Sequence, residues 1–408
     1  MNDRFEIPGR LKNTSMALIA VGVLTLVAGV VSLLMGQHSN DADKARFWAV
    51  LLHDAVFFTL ITTVSIFLQA AVSLAQGSWL IAYKRVPEAI GANVWVFATI
   101  LAVILFCIVF GFRNSHHINS IFPWVTPGDD KILLGKKPFL NAGMFAGFTI
   151  VFLGLWSYFG RYFRAQSIAQ ESAPKNDTKI YWKVFRMSGV FLFVYALSQM
   201  STAPWYWIMS IQAHWYSTLF SWYTFASALV SGFSLIMLWV IYLKNQGNLE
   251  LVNKEHIHDL GKFMFAISVF WTYLWFSQYM LIWYSNQPDE TVYFKLRQQG
   301  PYSVIFYANF IINFCMPILI LMSRPAKRNY FTVTFMAMII IFGHWLDYFQ
   351  MIMPGPLGEN WHINWYEIGI FMGFAGVLIL SVSRTLTKSN LVPTNNIMLK
   401  EAVIHVSP

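Results

Sequence analysis

The stretch YFTVTFMAMIIIFGHWLDYFQM, Tyr330 to Met351, decides how the rest of the chain is read. Crossing the roughly 30 Å hydrocarbon core of a bilayer takes about 20 mostly apolar helical residues, and this run supplies them. The whole chain supports that reading, because 57% of its 408 residues are apolar, 12% are charged and the mean hydropathy is +0.51. A soluble domain carries about 25% charged residues. The deficit makes lipid the solvent for most of the surface, which excludes a soluble enzyme, a nucleic-acid binder and a secreted module. Helix is the expected state, since a membrane barrel would instead show short alternating strands. The net charge of +9 needs no nucleic-acid partner, because cytoplasmic loops of membrane proteins collect Lys and Arg.

Working outward from that run gives about ten predicted spans: Asn13 to Gly36, Phe47 to Leu74, Ala92 to Phe112, Phe139 to Phe159, Val184 to Met200, Trp215 to Leu243, Leu260 to Trp283, Tyr302 to Met322, Tyr330 to Met351 and Trp365 to Val382. The fifth is the shortest, bracketed by Lys183, Arg186 and Pro204. The opening MNDRFEIPGR has mixed charge and leads into a run longer than a signal-peptide core, so the first run is expected to stay as a span. With ten spans both termini lie on one side. Nineteen Lys and Arg fall on that side against eight on the other, with Arg186 inside a span. The positive-inside rule then places both termini in the cytoplasm. Many of the 17 Trp, among them Trp205, Trp207 and Trp215, fall near predicted helix ends and read as an interfacial belt.

Ionisable groups inside spans cost on the order of 3 kcal/mol each on insertion scales and are functional candidates for that reason. His53 and Asp54 lie in span two, Ser277 and Gln278 in span seven, His344, Asp347 and Tyr348 in span nine, and Glu367 heads span ten. At 1.5 Å per residue, His53 and His344 both fall roughly 10 Å below the outer membrane surface. His344, Asp347 and Tyr348 are three and four residues apart and share a helical face. A His beside a carboxylate can accept and pass on protons near neutral pH; His and Asp also serve as interhelical hydrogen-bond partners. A haem b between His53 and His344 is a weaker reading, because one such pair lacks the repeated bis-His pattern of membrane cytochromes. On the cytoplasmic side Arg85 and Glu88 precede span three, Arg186 lies in span five, and Asp259 with Lys262 precedes span seven; these are candidates for proton entry. Pro87 followed by Glu88 also makes a good helix start. Cys107 and Cys315 cannot supply an iron–sulfur cluster or a Cys-x-x-Cys-His haem c motif, so no metal or redox cofactor is expected on this chain.

The run HDLGKFMFAISVFWTYLWFSQYMLIWYSNQPDET, His258 to Thr291, is the most specific text in the chain. It resembles the ActF-type membrane subunit, the second of the two large quinone-binding-type subunits of alternative complex III, a quinol:cytochrome c oxidoreductase. YWIMSIQAHWYST (Tyr206 to Thr218) and HWLDYFQMIMP (His344 to Pro354) are similar to further patterns of that family, and the likeness covers essentially the whole chain. Where the family pattern usually begins with Asp, this chain has Tyr206, so no role of that carboxylate carries over.

The resemblance implies the fold of the NrfD and polysulfide-reductase membrane subunits: an all-α integral membrane protein with two four-helix bundles, spans two to five (46–203) and six to nine (205–353). Spans one (13–36) and ten (363–384) flank them, and a cytoplasmic tail (385–408) follows. A short internal echo, Tyr195, Ser198 and Gln199 against Tyr273, Ser277 and Gln278, agrees with two related halves. It further implies a bacterial inner membrane location and a respiratory complex containing a homologous sister subunit, iron–sulfur and haem c subunits, and in some assemblies a terminal oxidase. In such a complex electrons travel in the partners, while this subunit conducts protons and offers a quinone pocket. Two alternatives are a proton-coupled secondary transporter and a scaffold with no conduction role. Transporters commonly break helices with Gly or Pro at mid-membrane, and no paired Pro break is expected within these spans.

Overall fold

The computed structural model describes residues 4–35, 41–174, 177–359 and 363–406. Ten helices are long and apolar enough to cross a membrane: Gly9–Leu34, Asp41–Leu74, Arg85–Gly111, Ala142–Glu171, Lys179–Gln212, Leu219–Asn245, Lys254–Ser285, Gly300–Leu321, Tyr330–Ile352 and Trp365–Leu386. There is no strand among the described residues. The chain is an all-α, multi-pass membrane protein.

Spans two and six are its axis. In each, 89% of the apolar window is buried, against 17% in spans one and five. Span two packs with three, four and five, while span six packs with seven and nine, and eight closes the second group by touching seven and nine. The two groups meet along spans two and six, and span nine also reaches span two. Outside them, spans one and ten lie antiparallel on each other, with ten leaning on two and three. A Cβ added at Gly22 would fall 2.3 Å from the Cα of Gly373, so these two backbones approach as only small residues allow. Gly9 and Leu386 therefore lie at one end, called here the terminal face; the opposite end is the far face.

Several expectations need correction. The fifth span is among the longest helical runs rather than the shortest: Lys179–Leu197 continues through a π-turn at Ser198–Thr202 into Ala203–Trp207. Its charges do not end it, because Arg186 is exposed on its flank. Two spans contain prolines in a matched way without being broken by them. Pro204 in span five and Pro317 in span eight each follow a π-turn, Ser198–Thr202 and Ile311–Cys315; the wider turn absorbs the missing N–H, and both helices continue. Arg85 and Glu88 lie inside span three, whose helix starts at Arg85, and Asp259 and Lys262 lie inside the helix of span seven. Trp207 is not interfacial but fully buried, donating to Thr149 Oγ1 at 3.0 Å. The segment after span seven is a helix, Pro288–Gln298, with Pro at its start, Asp289 and Glu290 in the first turn and Lys295 and Arg297 in the last, each suited to the dipole. Beyond span ten the tail folds back on the terminal face. Arg164 donates to Thr385 O and Ser389 Oγ, Asn395 donates to Gln170 O and Ala173 O, and helix Leu399–Val403 packs on the turn Trp79–Tyr83.

Candidate functional site

The two groups of far-half candidates meet through one residue that the sequence did not mark. Trp345 Nε1 donates to Asp54 Oδ1 at 2.7 Å, and the Trp345 carbonyl lies 2.9 Å from His53 Nε2. A carbonyl only accepts, so His53 Nε2 carries a hydrogen. Its Nδ1 then faces Asp54 Oδ1 at 3.7 Å without a hydrogen bond, and Asp54 Oδ2 is buried without a partner among the described residues. A proton on either group relieves the repulsion between the imidazole lone pair and the carboxylate.

One turn along span nine, Asp347 is held far more completely. It accepts from Ser227 Oγ at 2.9 Å, from Trp271 Nε1 at 3.0 Å and from the Tyr223 hydroxyl. Ser227 spends its single hydrogen on Asp347, so the 2.9 Å contact to His344 Nδ1 runs from the imidazole to the serine. His344 Nε2 is left as a buried acceptor with no partner among the described residues. Tyr348 shares the face but donates to Thr224 O at 2.8 Å instead. Each imidazole thus uses one nitrogen in a protein hydrogen bond, His53 Nε2 to Trp345 O and His344 Nδ1 to Ser227 Oγ, and keeps its other nitrogen without a hydrogen bond among the described residues.

A narrow cleft leads from Asp347 toward the far face, lined by Tyr223, Gln278, Gln350 and Arg297 among others. It has room for about one water molecule. Arg297, 2% exposed, comes from the Pro288–Gln298 helix and bonds Tyr293 O, Gln350 O, Met351 O and Gln212 Oε1. No carboxylate pairs with it within ion-pair distance among the described residues; the free carbonyls at the end of span nine hold its charge. Gln278 Nε2, Gln350 Nε2, Asn309 Oδ1 and both amide atoms of Asn313 are also buried without partners among the described residues. Asn313 lies in the π-turn of span eight, against Gly343, where a Cβ would fall 2.1 Å from Asn313 Oδ1.

In the other direction span two carries five buried polar side chains, Thr59, Thr62, Thr63, Ser65 and Gln69, between Asp54 and the terminal face. Thr63 donates to Gln199 Oε1, which the π-turn of span five brings inward, and Gln69 donates to Ser65 O at 2.9 Å. Thr59 Oγ1, Ser65 Oγ and Gln69 Oε1 have no partner among the described residues. Gln69 reaches a pocket near the terminal face that is also lined by Lys84, Ser167, Gln170 and Glu171 and by tail residues Pro393 and Asn395 to Met398.

That face holds two charge clusters. Arg85 bonds Glu88 at 2.7 Å, Glu171 at 2.6 Å and Ser167 Oγ at 3.1 Å, with Lys84 3.7 Å from Glu88. Lys84 is held below the ordinary lysine range by burial, which Glu88 partly opposes. Asp259 pairs with Lys262 at 2.8 Å and with His405 of the tail at 2.5 Å. Arg186 joins neither and bonds back to Trp182 O on its own helix. Ser277 is half-buried and does not line the cleft that Gln278 lines. The internal echo holds only for the glutamines: Gln199 and Gln278 are buried, while Tyr195 is buried and Tyr273 is 64% exposed. Glu367 belongs to a structural joint. It completes the capping box of span ten through Asn364 N and bonds Arg46 of span two at 2.6 Å.

Tyr223, Ser227, Trp271, Trp345 and Arg297 were not marked by the sequence, because an aromatic or serine at helical spacing reads as packing until its partner on another helix is known. Comparison of the chain with models of known protein families finds no match, and comparison with curated proteins finds none either.

Proposed function

We propose that this chain is a membrane subunit of a respiratory quinol-oxidising complex of the alternative complex III kind. It would sit in a bacterial cytoplasmic membrane with both termini inside and carry protons, while partner subunits with haem c and iron–sulfur clusters carry electrons. One observation carries the proton reading. Buried polar side chains recur along span two between the Lys84–Glu88 cluster and Asp54 with His53, and several of their atoms lack a partner among the described residues. Such atoms in a membrane interior call for water, and water beside an imidazole and a carboxylate is what proton transfer needs. The one-water width of the cleft beside Asp347 favours a proton path over a quinone pocket at that place. Spans five and eight continue through their prolines, unlike the unwound helices at transporter binding sites.

Gentle purification of the tagged chain tests the complex, with copurified haem c and iron–sulfur proteins as the expected result. Asp54→Asn in the assembled complex tests the path through the proton-to-electron ratio, which should fall. A second reading has its own support. Three donors satisfy Asp347 without any water, which suits a purely structural joint between spans six, seven and nine. An unchanged ratio in both Asp54→Asn and Asp347→Asn would favour that scaffold role.

A further inference from the structure

At the far face a pocket of about 920 Å³ opens between the Lys131–Lys136 helix, the entry to span four and the end of span five. Its walls are amphipathic. Phe139, Leu140, Trp205 and Met209 supply an apolar side, and Lys136 stands at the rim. Two features of this pocket are unfinished. Trp215 is 6% exposed, yet its indole N–H is buried without an acceptor among the described residues, and the same holds for the indole N–H of Trp205. Leaving such a donor unmet costs about as much as a lost hydrogen bond. Lys136 donates to Ala213 O at 2.5 Å and lies over the Tyr216 ring, but no carboxylate pairs with it among the described residues. The nearby acid is already spent. Asp130 Oδ1 caps the Lys131–Lys136 helix through Ile132 N and Leu133 N, and its Oδ2 faces His214 Nε2 at 2.9 Å.

We propose that this pocket binds an anionic phospholipid, with the headgroup phosphate on Lys136, oxygen acceptors of the glycerol-ester region meeting the indole N–H groups, and an acyl chain along Phe139, Leu140 and Met209. Trp at the headgroup level with one wet and one apolar edge suits that ligand, and a cation on a flexible stem suits a phosphate. The combination selects one ligand chemistry: an anion joined to a carbonyl-bearing apolar body. A zwitterionic lipid would bring a second cation toward Lys136, and free phosphate would leave the indoles and the apolar wall unmet.

The test uses the full chain in nanodiscs of phosphatidylcholine with and without phosphatidylglycerol, reading the melting temperature and the lipid retained in native mass spectrometry. Phosphatidylglycerol should raise the melting temperature and stay bound, with retention weakened at least about tenfold in Lys136→Gln and in Trp215→Phe. Lys136→Arg, which keeps the charge, should retain it. Equal effects of the two lipids overturn the proposal, as does retention of phosphatidylglycerol by Lys136→Gln at the wild-type level. Inorganic phosphate added to phosphatidylcholine discs gives the remaining arm. If phosphate alone reproduces the shift, the site is a simple anion site and the lipid assignment fails. Should Lys136→Gln not fold, the comparison of Trp215→Phe with Trp205→Phe against wild type decides, because each keeps an aromatic ring at its place and loses the N–H donor; wild-type retention in both overturns the proposal.

Discussion

Trp345 on span nine and Asp54 on span two are joined at 2.7 Å, and the carbonyl of the same tryptophan takes the hydrogen of His53. One residue therefore fixes both candidate groups of span two to the second bundle. Trp345→Phe keeps most of the ring and removes the donor. The buried Asp54 oxygen is left unmet, so the variant should lose about 1–3 kcal/mol of stability, read as a lower melting temperature of the full complex.

The two buried aspartates should respond differently to loss of their acid function. In Asp54→Asn the new amide nitrogen can take the place of an oxygen that has no partner among the described residues, so the cost should stay below about 1 kcal/mol. In Asp347→Asn the amide nitrogen must face at least one of three donors, and about 1–3 kcal/mol should be lost. Thermal melts of both variants, alongside their proton-to-electron ratios, separate the conduction effect from the packing effect.

Arg85 and Glu88 are both fully buried and bonded to each other. Removing one partner breaks this buried pair, with Glu171 still on Arg85 and Lys84 still near Glu88, so Arg85→Met or Glu88→Met alone should destabilise by up to about 3–5 kcal/mol, while the double change should recover much of the loss. A double-mutant cycle on melting or on assembled yield measures the recovery. A plain additive loss would mean that Glu171 and Lys84 carry the cluster instead.

Asp130 is held below the usual carboxylate range, first by the N–H of Leu133 and also by Ile132 and His214. A depressed folded value contributes stability above the unfolded carboxylate value near 3.9, and that contribution is lost as pH falls through the folded value. Below about pH 4 the Lys131–Lys136 helix should therefore fray. Hydrogen exchange at Ile132 and Leu133 should accelerate there, and Asp130→Asn should remove the pH dependence.

Orientation can be read by chemical labelling. Gln287 at the far face and Lys388 at the terminal face are both exposed. In intact cells an impermeant thiol reagent should label a cysteine at 287, if no partner covers it, and not one at 388. The reverse pattern would overturn the orientation drawn from the charge count.

The architecture was legible wherever apolar length alone decides, which is why all ten runs correspond to helices. Span five misled because Lys183 and Arg186 looked like a boundary, whereas long cationic side chains can lie along a helix flank and leave the helix intact. Of the site, the His344–Asp347 spacing was legible because both residues sit on one helix. Tyr223, Ser227, Trp271 and Trp345 were not, since their meaning comes from neighbours on other helices. Arg297 lies between two predicted spans and was not marked, although Pro288 ahead of two acids and a basic last turn was a readable helix signal.

The Gly22–Gly373 contact bears on how the protein is made. The ribosome releases span one long before span ten, yet these helices are each other's principal neighbours. Until span ten has been made, the first helix must wait in lipid with a glycine-bearing stripe unmatched by it, so the order of synthesis and the order of assembly are opposed. Chains cut short before Trp365 would insert nine helices and still leave the first without its clasp, giving cellular quality control a simple mark by which to recognise an unfinished molecule.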